Sequence, residues 1–172
     1  MCCPPSVEAL NEVRSFNPEK EEGLALEGFP LIDLIQNVVS RGSSLRLRAK
    51  GCSMAPFIKD GDVLTLSPPV IRSLGIGDVV AFSFPQSGRL IIHRVIRAFG
   101  GDFLIRGDYC AEPDGVIPKQ DILAVVSRVE RNGRKVSLGL GTERAIIAFL
   151  SARAALFPLL SFLYRWSWKI LR

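Results

Sequence analysis

Histidine is nearly absent from this chain: His93 is the only one in 172 residues. Four cysteines stand at no metal-ligand spacing, with Cys2 and Cys3 adjacent and Cys52 and Cys110 far apart. Zinc is thereby left without its usual Cys/His set, and neither a metal nor another cofactor is expected. The cysteines read most simply as free thiols of a reducing compartment, and nothing around Cys2 or Cys3 forms a lipobox. Residues 1–28 are polar, with no basic segment leading into an apolar core, so no secretory signal peptide is expected there. No recognised reader motif accompanies the positive charge, so no nucleic-acid partner is expected either.

The charge that is present is unevenly placed. The net value is +5. After Asp121, nine Lys and Arg face only Glu130 and Glu143, a balance of +7, whereas residues 1–121 carry −2. A basic tail beside an apolar run points to an anionic membrane surface. Chain length suits one core rather than two.

Four segments are expected. Residues 1–28 form a polar extension. Residues 29–43 hold an amphipathic helix, with apolar residues at 31, 34, 35, 38 and 39 and Gly42 at its C-terminal cap. That helix is too short, and too interrupted by Asp33, Gln36 and Asn37, to span a bilayer. Residues 44–140 read as a mainly antiparallel, barrel-like β domain. Leu45, Leu47 and Ala49 alternate with Arg46, Arg48 and Lys50, and further strands are expected over 63–67, 78–84, 89–98, 102–106, 122–131 and 134–138. Asn132-Gly133 marks a hairpin. Gly61-Asp62 and Gly77-Asp78 read as turns whose aspartates bond backbone N–H groups. Arg94 and Arg106 are placed to pair with those aspartates.

Residues 141–172 change character. Ala145–Leu163 is largely apolar, broken by Arg153 and Pro158. On a helical projection Arg144, Ser151, Ser161, Arg165, Lys169 and Arg172 share one arc. Trp166 and Trp168 close the run as interfacial residues do. A spanning helix, an in-plane helix and a helix docked on the β domain all fit. The first is penalised by Arg153, because a central arginine costs about 2.5–3.5 kcal/mol on insertion scales.

The chemistry gathers around Gly51-Cys52-Ser53-Met54-Ala55-Pro56. Gly51 opens backbone angles closed to other residues, and Pro56 fixes its own φ. Such a loop can hold a serine Oγ outward with N–H groups around it, which is what a nucleophile and its oxyanion require. Gly-x-Ser alone is more often an ordinary turn. Downstream stand Ile91-Ile92-His93-Arg94-Val95-Ile96, Arg106-Gly107-Asp108 and Asp114. A histidine, ordinarily titrating near ~6.5, accepts a serine proton at neutral pH without the desolvation a lysine base needs.

In this order the blocks resemble the signal peptidase I and self-cleaving-repressor superfamily of serine peptidases, over roughly Leu45 to Val129. The match is closest to its histidine-base branch. The resemblance implies Ser53 as nucleophile and His93 as general base. It matches Asp108 to the aspartate of the family's Gly-Asp block and Asp114 to the later aspartate that orients the histidine. Either aspartate fits the orienting role. The Ser53 N–H and a neighbour in the Gly51–Ser53 loop would bind the oxyanion. The implied partner is a peptide or preprotein with small residues before the cut, held as an extended strand. Members normally carry a membrane anchor before the serine, which the 29–43 helix is too short to provide. A cytoplasmic or self-cleaving relative, with Glu27-Gly28 as a possible cut, and a non-catalytic peptide-binding module are the alternatives.

Overall fold

The computed structural model describes residues 28–70, 73–84 and 88–152. Helix α1 (Phe29–Ser40) buries Ile32, Ile35 and Val39 on one face. It ends as Gly42 implied: Gly42 turns to φ 75°, its N–H bonds Val39 O, and Ser43 N–H bonds Val38 O. These paired bonds satisfy the orphan carbonyls of the last turn.

Eight strands follow: β1 (Leu45–Arg48), β2 (Val63–Ser67), β3 (Val79–Ser83), β4 (Leu90–Phe99), β5 (Asp102–Arg106), β6 (Gly115–Pro118), β7 (Ile122–Arg131) and β8 (Arg134–Lys135). They form one antiparallel sheet in the order β1-β2-β7-β3-β4-β5-β6, with β8 on β7. The expected barrel does not close. β1 and β6 end the order without pairing to each other, so the sheet is open. Pro113 and Pro118 frame β6 and locally signal a loop; its pairing with β5 overrides that signal. The last hairpin strand stops at Lys135 rather than Leu138. Its turn is as expected, with Asn132 at φ 52° and Gly133 at φ 74°, the two positive angles a type I′ turn needs.

Apolar residues fill both faces of the sheet. Ile35, Met54, Ile58, Leu64, Leu66 and Ala81 belong to one cluster, which joins α1 and the serine loop to the sheet. Val80, Phe82, Val95, Phe103, Ile105 and Ile117 belong to the other. Leu64 and Leu66 are fully buried, each contributing roughly 1.5–3 kcal/mol by area.

Helix α2 (Arg144–Ala152) lies against β4 and buries Ile147 and Ala148. Its Arg144 pairs with Asp78, whose other oxygen takes the Gly75 N–H at 2.9 Å. The remainder of the basic, apolar tail, residues 153–172, lies outside the described residues, as do Cys2, Cys3 and the charge run of 17–22. No described helix is long and apolar enough to cross a membrane.

Asp62 performs the turn chemistry expected of it, accepting the Lys59 N–H at 2.8 Å. It also takes two bonds from Arg131, at 2.8 and 2.7 Å, tying the β2 entrance to the end of β7. Burial pushes the Asp62 carboxyl up, but the bonds from Arg131 and Lys59 and their charges outweigh it and hold it below the ordinary range. A depressed carboxyl contributes stability that is present above its unfolded value, about 3.9, and lost as pH falls through the folded value. Asp62→Asn should therefore lower the unfolding free energy measured in urea at pH 7 by about 1–2 kcal/mol. The gap to the parent should narrow below about pH 4 as the parent's own Asp62 protonates. A gap independent of pH would show that the ion pair contributes nothing.

Candidate active site

Strand β4 separates two neighbours. His93 lies opposite Val80 and Arg94 opposite Val79, so their side chains leave opposite faces of the sheet. The β5–β6 loop, residues 107–114, serves both faces. Its Asp108 goes to Arg94, and its Asp114, anchored by Asp114 N–H to Ile105 O at 2.9 Å, goes to His93.

On the His93 side the geometry is continuous. Nδ1 stands 2.6 Å from Asp114 Oδ2, and Nε2 stands 2.9 Å from Ser53 Oγ. Asp114 is acceptor-only when ionised, so Nδ1–H donates to it and Nε2 is left to accept the Ser53 hydroxyl proton. The imidazole is 8 % exposed and the Asp114 side chain 17 %, so both are largely withdrawn from water while Ser53 stays half-buried.

Ser53 is held from several directions. Ala55 N–H bonds Cys52 O at 3.0 Å, and Ile58 N–H bonds Met54 O at 3.0 Å, coiling the loop after the serine. Met54 and Ile58 sink into the core. Tyr109 N–H donates to Ser53 O at 2.8 Å, which fixes the serine backbone to the β5–β6 loop. The Gly51 N–H, expected to help bind an oxyanion, is instead donated to Asp60 Oδ1 at 2.8 Å. Gly51 contributes its φ of 93° rather than a donor. Among the described residues no backbone acceptor takes the Ser53 N–H.

Arg94 is fully buried and engages three nitrogens at once. Nε and Nη2 bond the two Asp108 oxygens at 2.8 and 2.7 Å, while Nη1 bonds Gly77 O at 2.8 Å and Gly139 O at 2.7 Å. Its guanidinium carbon lies 5.6 Å from the centre of the Phe57 ring. The sequence places Arg94 to pair with Asp62 or Asp78. The structure assigns those aspartates to Arg131 and Arg144 and gives Arg94 to Asp108. Arg106 likewise has no such aspartate; its Nε donates to Cys110 O at 2.9 Å. Asp108 thus holds the loop, and Asp114 alone meets the histidine.

Two features escaped the sequence. A Cβ at Gly107 would stand 2.6 Å from Cys110 Sγ, 2.8 Å from Ser53 O and 3.0 Å from His93 Nε2. The serine loop and the imidazole therefore close over a bare Cα. In the Arg106-Gly107-Asp108 block the aspartate is the conspicuous residue, and this glycine is not. The second is a correction: Cys52 and Cys110 are not free thiols. Both are disulfide-bonded, no described cysteine is free, and no other cysteine lies among the described residues, so they form one bridge. Sequence distance hid it, because 58 positions separate these cysteines, which the Tyr109–Ser53 backbone bond sets side by side. Among the described residues no three His, Cys, Asp or Glu side chains cluster as a metal would require.

The two aspartates should respond differently to substitution. Asp108→Ala leaves a buried guanidinium unpaired and should cost about 3–5 kcal/mol in denaturant unfolding. Asp114→Ala, at a part-exposed position, should leave the unfolding free energy within about 1 kcal/mol of the parent. The reverse order would reassign the two roles.

Neither a protein-family model nor a curated protein matches this chain.

Proposed function

We propose that the protein is a serine endopeptidase acting through an acyl-enzyme, with Ser53 as nucleophile, His93 as general base and Asp114 as the residue that orients it. One observation carries the reading: the unbroken line from Asp114 Oδ2 through the His93 ring to Ser53 Oγ, with contacts of 2.6 and 2.9 Å. Three side chains separated by 40 and 21 positions meet at hydrogen-bonding distance, in the order a base and its orienter require.

The steps follow from the contacts. Ser53 Oγ attacks the scissile carbonyl carbon as His93 Nε2 takes the hydroxyl proton. Asp114 stabilises the imidazolium and keeps Nδ1 protonated, so that Nε2 faces the serine. The oxyanion accepts from the Ser53 N–H. His93 then returns its proton to the leaving amine, and water repeats the sequence on the ester. Asp108 stands outside this chain of transfers and acts by holding the loop to Arg94.

The open edges of the sheet suit an extended substrate. β1 runs toward Ser53 and β6 begins directly after Asp114, so two edges left unpaired among the described residues approach the triad, and an edge offers its backbone groups to an added strand. By resemblance, the substrate is a leader or signal peptide with small residues before the cut. Self-cleavage at Glu27-Gly28 is the weaker reading. A Cβ at Gly28 would lie 3.9 Å from Gly88 O, and Gly88 is five residues from His93, about 16 Å at strand rise.

The tail is proposed to bring the enzyme to an anionic membrane surface. Support comes from its charge balance and from α2, which exposes Ile146 and Phe149 while Ile147 and Ala148 are buried where the helix meets β4. Because Arg144, Ile147 and Ala148 belong to the folded unit, a truncation that spares the fold begins at residue 153. That truncation should abolish co-sedimentation with vesicles containing phosphatidylserine and leave the unfolding midpoint unchanged. Equal sedimentation of both forms would remove the membrane proposal.

Peptide cleavage tests the chemistry. Ser53→Ala should lower turnover by on the order of 10⁶, and His93→Ala by a similar factor, with the double variant no worse than either, because the two act as one unit. Asp114→Asn should cost less. Near-normal turnover in His93→Ala would overturn the mechanism.

A further inference from the structure

A second reactive group stands beside the triad, and the mechanism above does not use it. The Cys52–Cys110 bridge joins the residue before Ser53 to the loop whose Gly107 lies beneath His93 Nε2. A disulfide that merely constrains the unfolded chain can sit at any suitable pair of positions. This one ties the serine loop to the segment that carries Asp114, the partner of His93, and whose Gly107 packs against the ring.

Its surroundings favour exchange. Cys52 is half-buried while Cys110 is 1 % exposed, so Cys52 is the more accessible half of the bridge for an incoming thiolate. The departing sulfur is then that of Cys110, a residue whose backbone carbonyl is held by Arg106. Arg106 is 3 % exposed, donates Nε–H to Cys110 O at 2.9 Å, and has an Nη2 with no hydrogen-bond partner. Asp108, whose charge acts on Arg106, is occupied bidentately by Arg94. Burial pushes the Arg106 guanidinium pKa down, which Asp108 only partly offsets. A buried cation of this kind gains by having an anion form nearby. Cations beside a cysteine favour its thiolate, and a stabilised thiolate leaves faster in exchange.

We propose that the Cys52–Cys110 bridge is a thiol-exchange site that sets the alignment of Ser53 against His93, so that a dithiol reductant slows the nucleophile. One thiolate of the dithiol attacks Cys52 Sγ, and the S–S electron pair leaves on Cys110 Sγ. The second thiolate of the dithiol displaces Cys52 from the mixed disulfide. Two electrons pass to the protein, which holds two cysteine thiols or thiolates, and the dithiol ends as a disulfide. The covalent tie is gone, leaving Tyr109 N–H to Ser53 O as the direct backbone bond between the segments. Misplacement by about 1 Å costs on the order of 10² in rate, so a loss of about tenfold or more is expected.

The consequence for Ser53 rests on the peptidase reading, and the test keeps the two apart. Full-length protein is equilibrated in graded ratios of reduced to oxidised dithiothreitol. Maleimide tagging with peptide mass mapping counts Cys52 and Cys110 separately from Cys2 and Cys3. The rate of Ser53 phosphonylation by a fluorophosphonate is followed in the same samples, together with the ring signals of His93. The rate should fall about tenfold or more in step with the appearance of the two thiols and recover on reoxidation. A Cys52→Ser, Cys110→Ser double variant should be slow at every ratio, and Arg106→Lys should retain the switch where Arg106→Gln requires more reductant. A bridge that full reduction leaves closed, a rate unchanged on opening, or a double variant as fast as the oxidised parent would each overturn the proposal. If Ser53 is inert in both states, the peptidase reading falls. The exchange proposal is then decided by the His93 signals, supported if opening the bridge shifts them and overturned if it does not.

Discussion

A fully buried guanidinium holds this structure's working elements in one frame. Arg94 reaches Asp108 on the β5–β6 loop, Gly77 at the start of β3 and Gly139 ahead of α2, with Phe57 of the serine loop against its face. Those four segments share no regular pairing with one another, and one side chain supplies their common reference. A buried charge is costly to desolvate and is tolerated only when paired and hydrogen-bonded, a condition met here by a bidentate carboxylate and two carbonyls. A planar fork with donors on three nitrogens can meet it, whereas a lysine ammonium offers one point of charge. Glu143 extends the frame. Its carboxylate takes the Gly139 and Gly141 N–H groups at 2.6 and 3.1 Å, and these bonds, with that of its own N–H, hold it below the usual range.

The face that carries Ser53, His93 and Asp114 inherits its geometry from that frame. Once Asp108 is pinned, the loop after it must carry Tyr109 to the Ser53 carbonyl, Cys110 to Cys52 and Asp114 to His93. Glycine at 107 lets this happen at close range, since any side chain would displace Cys110 Sγ, the serine backbone or the imidazole. The alternation of β4 does the rest, sending His93 and Arg94 to opposite faces so that one meets Ser53 and Asp114 and the other Asp108.

Much of this is legible in the chain. The strands over 63–67, 102–106 and 122–131 match their expected bounds because alternating apolar residues and Gly turns agree locally. Ser53, His93 and Asp114 follow from the residues and the resemblance, and the structure brings the three together. What is not legible depends on distance in sequence. Whether Asp108 or Asp114 meets the ring turns on which face of the sheet each end of the β5–β6 loop reaches. The bridge between Cys52 and Cys110, the partner of Arg94 and the diversion of the Gly51 N–H to Asp60 are likewise tertiary facts. The open sheet is hidden because alternation reports a buried face and says nothing about whether the first and last strands meet.

Because the chain holds a single histidine, its ring protons can be assigned without ambiguity. Nitrogen-15 histidine labelling of the parent and of the Asp114→Asn and Asp108→Asn variants isolates the contact on which everything above depends. The account requires an Nδ1 proton far downfield of ordinary amides in the parent, retained in folded Asp108→Asn and lost in Asp114→Asn. A parent without that proton, or one whose signal survives Asp114→Asn, would contradict it.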